Sequence, residues 1–128
     1  MRYSLLVTAG PDRQASASAL RTARALYSAG HVLHRVFLYR EGVQLADGSR
    51  RCASGDPDIA ADWARLLHEC AIDGVACIGT AQRYGILDER ESARLAVQAS
   101  LRTPWRLAGL GEWVDAMVSS DRVLQFGA

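Results

Sequence analysis

Cysteine is scarce in this chain and odd in number. Cys52, Cys70 and Cys77 are the only three among 128 residues, and no two of them stand in a CxxC spacing. That excludes a disulfide framework and gives no thiolate metal site, so free thiols in a reducing compartment are expected. An excess of one charge is also missing. Fifteen basic residues stand against fourteen acidic ones, for a formal net charge of +1. The chain as a whole therefore carries no electrostatic footprint for phosphate backbones or anionic lipid, and direct nucleic-acid binding is not expected. Long apolar runs are absent too. The stretch Tyr3 to Val7 is cut off by Gly10-Pro11-Asp12-Arg13, too early for a secretory signal, and no run approaches the length of a membrane span. A cytoplasmic protein is the expectation. With no linker, internal repeat or low-complexity segment, residues 1–128 are expected to form one domain.

What is present is an ordinary globular composition, 49% hydrophobic and 23% charged. A chain of this length buries roughly two-thirds of its unfolded surface, enough for a single core. Arg2 to Thr8 and Val32 to Tyr39 are compact apolar runs closed by Gly10-Pro11 and Glu41-Gly42, and both read as buried strands. Between them Ala15, Ala19, Ala23, Leu26 and Tyr27 recur at helical spacing, with Gly30 placed as a left-handed cap. The unit repeats: Ile59, Trp63, Leu66, Leu67 and Cys70 form one helical face, and Gly74 to Gly79 follows as a short apolar strand. A polar helix over Asp88 to Ala99, a strand at Trp105 to Ala108, a helix near Glu112 to Val118 and a strand at Arg122 to Phe126 complete the chain. Alternating strands and helices imply crossover connections. The fold expected is α/β, a three-layer α/β/α domain with a mainly parallel five-stranded sheet. The glycine-rich stretch 42–57 reads as a long exposed loop.

In open α/β sheets, sites gather at the carboxyl ends of strands. Cys77 falls there, just before a helix and a few residues ahead of Gln82 and Arg83, a setting that favours the thiolate. The plain alternative is that Cys77 fills a strand position as a small hydrophobe. Cys52, after Arg50-Arg51 in the presumed loop, is the rival thiol, while Cys70 belongs to the core-facing side of its helix. His31, His34 and His68 are scattered and form no metal site. Gly109-Leu110-Gly111 lacks the third glycine of a dinucleotide fingerprint and reads as a turn. Asp88, Glu89 and Glu91 open a helix, where carboxylates stabilise its positive end.

Several separated stretches share an order and spacing. They are Gln14-Ala15-Ser16 with the alanine-rich helix to Gly30-His31; Val36-Phe37-Leu38-Tyr39-Arg40-Glu41-Gly42-Val43; Cys77 with Ala81-Gln82-Arg83-Tyr84-Gly85-Ile86-Leu87-Asp88-Glu89; Gly109-Leu110-Gly111; and Asp121-Arg122-Val123-Leu124-Gln125-Phe126. Together they cover nearly the whole chain, which resembles the DsrE family of sulfur-transfer proteins. The resemblance implies that one cysteine at the end of the third strand accepts a persulfide sulfur, and Cys77 is the matching position. Cys52 and Cys70 match no motif of the family. The resemblance further implies a heterohexamer with TusB-like and TusC-like subunits, a TusA-like sulfur donor and a TusE-like acceptor, serving 2-thiouridine synthesis at the tRNA wobble position. No cofactor is implied. Tyr84 departs from the pattern, since a second basic residue is expected beside Arg83. Two other readings stay open: sulfur transfer in dissimilatory sulfur oxidation, and a noncatalytic scaffold subunit in which Cys77 is structural.

Overall fold

Five parallel strands in the order β4-β3-β2-β1-β5 form the centre of the computed structural model, which describes residues 1–127. In chain order the elements are β1 (Arg2–Val7), α1 (Gln14–Ser28), β2 (Val32–Leu38), a 3-10 segment (Arg40–Ala46), α2 (Ile59–Glu69), β3 (Asp73–Cys77), α3 (Ile78–Arg83), α4 (Glu89–Leu95), β4 (Arg106–Ala108), α5 (Gly111–Ser119) and β5 (Arg122–Phe126). Every strand pairing is parallel, and the one antiparallel contact among the described residues is an isolated bridge between Asp47 and Leu101. The expected layered α/β fold is therefore observed. No helix among the described residues is long and apolar enough to cross a membrane.

The strand order explains where the helices lie. The chain steps from β1 to β2 to β3 in one direction, so right-handed crossovers put α1 and α2 on the same face. It then returns past β1 to add β5 on the far side, and the same handedness sends α5 across the opposite face. On the first face Leu5, Val7, Val36, Leu38 and Ala76 meet Ala19, Leu20 and Ala23 of α1 and Trp63, Leu66 and Leu67 of α2 in one apolar cluster. Trp63 is fully buried, as its place on the helical stripe requires. Close approach matters here. A Cβ on Gly74 would stand 2.5 Å from Leu67 Cδ1 and 2.8 Å from the Trp105 ring, so helix and indole pack directly on the β3 backbone.

Local chemistry sets the boundaries. Gly30 takes φ +86° just after α1 and donates its N–H to the Tyr27 carbonyl at 3.1 Å, as a left-handed terminator does. Asp58 caps α2 by accepting from the Ala61 N–H at 3.0 Å, and Asp88 caps α4 by accepting from Glu91 N–H at 2.9 Å. The acids at the start of α4 thus have a structural role. Gly109 and Leu110 accept from Glu112 and Trp113, forming the turn that leads into α5.

Two expectations need correction. The stretch 42–57 is not one exposed loop, because its first part belongs to the 3-10 segment, where Val43, Leu45 and Ala46 are fully buried. Gly42 lies so close to β1 that a Cβ there would collide with the Val7 carbonyl. Only residues 51–57 form a continuous exposed run. A seven-residue 3-10 segment is too short, and at three residues per turn has the wrong period, to read as an amphipathic α-helix, and its glycine reads as a loop signal. Cys70 also differs. It stands half-buried at the C-cap of α2, against the core and not inside it.

Candidate functional site

The second face of the sheet is covered quite differently from the first. Strand alternation puts Ser4 and Leu6, Arg35 and Phe37, Asp73, Val75 and Cys77, and Arg106 and Ala108 on it. A small apolar cluster of Phe37, Val75 and Cys77 lies at the carboxyl end, with Leu6, Tyr39, Ala108 and Trp113 of α5 packed against it. The Phe37 and Trp113 rings are 6.0 Å apart. At the other end of the same face the interior is charged. Arg35, with a side chain only 10% exposed, bonds Asp73 at 2.7 Å and reaches Glu112 and Asp115 of α5, each at 3.1 Å. Arg106 grips both oxygens of Asp73 at 2.9 Å and pairs with Glu112 at 3.2 Å. Burial works to raise the Asp73 carboxyl, but hydrogen bonds from Arg106 and Arg35 outweigh it and hold it below the usual carboxylate range. This network fastens the start of α5 to β2, β3 and β4, and Trp113, one residue after Glu112, is held over the apolar cluster.

Cys77 is the last residue of β3 and the N-cap of α3, with φ −60° and ψ 120°. It is only 6% exposed, and its register partner on β4 is Ala108. The chain enters α3 with no intervening loop, so Cys77 stands where sheet ends and helix begins. At the same edge opens a depression of about 480 Å³ lined by Tyr39, Arg40, Glu41, Thr80, Arg83 and Tyr84; Cys77 itself is not in its wall. Tyr39 belongs both to this wall and to the Cys77 cluster. The expected neighbourhood of Cys77 and Arg83 is thus brought to one edge; Gln82 lies exposed on the same helix.

The other two thiols are elsewhere. Cys52 is exposed in the 51–57 run, and its flanking cations do not activate it. Desolvation and then the Asp58 carboxylate push its thiol up, against the weaker pull of Arg50. Arg50 is turned to Gln44 Oε1 at 2.9 Å, and Arg51 bonds the Gly48 and Arg50 carbonyls at 3.1 and 3.0 Å. Cys70 lies at the opposite end of β3 from Cys77, ahead of Asp73. The histidines are dispersed: His31 Nδ1 meets the N-terminal ammonium at 3.2 Å, His34 Nδ1 accepts from Arg2 at 2.8 Å, and His68 is exposed in the last turn of α2.

Sequence reasoning did not find the charged network or the wall built by Tyr39 and Arg40. The signal for the first was available, since Arg35 interrupts an apolar strand and a buried guanidinium requires carboxylates.

Comparison with known proteins adds the following. The model of the DsrE/DsrF-like family matches residues 1–126. A protein of Allochromatium vinosum named putative sulfurtransferase DsrE is 36% identical over a 129-residue alignment that covers 99% of each chain. Sulfurtransferase TusD of Salmonella paratyphi B is 41% identical, over 98% of this chain and 100% of its own. Among solved structures, the ychN protein from E. coli superposes with a TM-score of 0.76 at 21% identity, covering 98% of this chain and 100% of its own, which places the two in one fold.

Proposed function

The chain belongs to the DsrE/DsrF-like family, and from that premise we propose that it is a sulfurtransferase subunit carrying sulfane sulfur as a persulfide on Cys77. One observation supports the reading. Of the three thiols, Cys77 alone stands at the carboxyl end of the third strand, packed against Tyr39, which also lines an open depression at that edge.

The chemistry needs one thiolate and no redox partner. The Cys77 thiolate attacks the outer sulfur of a donor persulfide; a bond forms between Sγ and that sulfur, the donor S–S bond breaks, and the donor departs as its thiolate. In the second half an acceptor thiolate attacks the sulfur now held on Cys77. The Cys77–sulfur bond breaks, the acceptor carries the persulfide, and Cys77 is returned as a thiolate. Bonds made and broken balance in each half, and the protein ends unchanged. The apolar cover of Phe37, Val75 and Trp113 protects the held sulfur from stray thiols. The small exposed fraction of Cys77 requires a partner to press onto the rim.

The donor in this reading is TusA-like and the acceptor TusE-like, with the sulfur bound for 2-thiouridine at the tRNA wobble position, and the protein works in the cytoplasm. The higher identity to a protein named TusD supports this pathway over sulfur oxidation of the DsrE type. Assembly with TusB-like and TusC-like subunits into a heterohexamer has its own support. Leu110, Val114, Met117, Val118 and Val123 stay exposed on and around α5, which among the described residues is the one helix over the second face, and such patches mark protein interfaces.

Incubation with a persulfidated TusA-like donor tests the proposal. The intact chain should gain the mass of one sulfur atom, and peptide mapping should locate it on Cys77. A label on Cys52 or Cys70, or none at all, contradicts it.

A further inference from the structure

The carboxyl edge of the sheet holds more than the sulfur step uses. Beyond the depression next to Cys77 lies a second one of about 570 Å³ at the ends of β1, β2 and β5, with Thr8, Arg40 and Gln125 in its wall. It sits where the strand order reverses, since β1 is flanked by β2 on one side and β5 on the other, and ligands of open α/β sheets bind at such points. Tyr39 and Arg40 line both depressions, so the two form one track along the edge.

Arg40 is the unusual residue of that track. Its backbone takes φ +52°, the left-handed region where glycine is at ease and a long side chain is strained. Strain of this kind at a surface rim is a pointer to function. Arg40 and Arg83 are both exposed and, like most arginines of the chain outside the pairs made by Arg35, Arg50, Arg65, Arg94 and Arg106, have no carboxylate partner among the described residues; what sets them apart is that they share one wall. Glu41 is the one carboxylate in the wall they share, so two cations face one anion there. Tyr39 and Tyr84 stand beside them, and tyrosine with arginine is the composition of interface anchors.

We propose that the edge from Arg83 across Arg40 is a docking track for an extended acidic segment of a partner protein, chosen by charge through Arg40 and Arg83. On the carrier function proposed above, such a segment delivers the partner's thiol to Cys77. Two guanidiniums without internal partners supply the complementary charge, and the tyrosine rings supply contact area at low entropic cost.

The test is a binding measurement that needs no sulfur chemistry. A rhodamine-labelled glutamate-rich peptide and a lysine-rich counterpart are titrated against the full chain carrying Cys77→Ser, at low and at high salt. The glutamate-rich peptide should bind and the lysine-rich one should not, with affinity lost as salt rises. Arg40→Glu and Arg83→Glu should each weaken binding about tenfold, while Arg24→Glu, on the exposed side of α1, should leave it unchanged. Arg40→Gly should also weaken binding yet melt no lower than its parent, because glycine relieves the left-handed backbone. Equal binding of both peptides, unchanged affinity in Arg40→Glu, or an equal loss in Arg24→Glu overturns the proposal. Failure of Cys77 to take up sulfur would overturn the carrier reading and leave this result standing.

Discussion

The two faces of the sheet are built for different ends. One is apolar throughout: α1, α2 and the 3-10 segment close over Leu5, Val7, Val36 and Leu38, and Trp63 is completely enclosed. The other has, among the described residues, a single nine-residue helix, a partly buried set of five charged groups, a cysteine at the sheet's edge and exposed apolar side chains such as Val118, 82% accessible. Burial of apolar area stabilises the first face without specifying any chemistry. On the second face apolar surface left bare and charges held inside both cost stability, which is the signature of surface kept for other work.

Substitutions on the two faces should therefore separate folding from function. The largest effect belongs to the first face. Trp63→Ala should lower unfolding free energy by about 3–5 kcal/mol, and Leu66→Ala by about 2–5 kcal/mol. Urea denaturation measures both, and a loss below about half a kcal/mol for Leu66→Ala, the range of surface changes, means that α2 presents its other side to the sheet. Gly42→Ala is next, at about 1–3 kcal/mol, because the new methyl meets the backbone of β1, which cannot rotate away. A neutral result there breaks the account of how the 3-10 segment approaches β1.

On the second face the cost should be smaller and dependent on pH. Asp73→Asn should destabilise the chain by about 1–3 kcal/mol near neutrality, since Arg35 and Arg106 lose their shared carboxylate. The folded-state carboxyl lies below its unfolded value, so its contribution is present above the ordinary carboxyl range and is lost as pH falls through the folded value, below about pH 4. Stability curves of the parent and Asp73→Asn should thus converge in acid. Parallel curves across that range would remove Asp73 from the role given to it. Val118→Asp should be the mildest of all, within about 0.5 kcal/mol in the isolated chain, yet it should weaken association with co-expressed TusB-like and TusC-like subunits in size-exclusion chromatography with light scattering. Unimpaired assembly would place the subunit interface elsewhere.

The first face was far more legible from the sequence than the second. Helical spacing of Trp63, Leu66 and Leu67 and the apolar runs of β1 and β2 follow from burial on a regular element, which leaves a period in the chain. Even β4, three residues long, falls within the strand expected at Trp105 to Ala108 after Pro104. The 3-10 segment escaped because seven residues at three per turn are too few to show an α-helical period, and Gly42 serves close contact with Val7, not flexibility. The network of Arg35, Asp73, Arg106, Glu112 and Asp115 escaped because its members are far apart in sequence and meet only through the strand order. That order itself depends on where β5 inserts, which no local pattern records. For the site, the position of Cys77 at a strand end was legible, whereas its deep seat under Trp113 and Tyr39 depends on α5 crossing the face.

The central claim, that one buried rim thiol carries the sulfur, is tested most directly by a single-turnover relay. Sulfur labelled in a TusA-like donor is followed through the assembled complex to a TusE-like acceptor, with the parent chain, Cys77→Ser, Cys52→Ser and Cys70→Ser compared at equal concentration. The account predicts that Cys77→Ser folds and assembles as the parent does but passes no label, while the Cys52 and Cys70 variants relay it at the parent rate, Cys70→Ser with some loss of stability from its half-buried hydroxyl. Relay at the parent rate by Cys77→Ser would contradict the mechanism and leave Cys77 as a small hydrophobe at the end of β3.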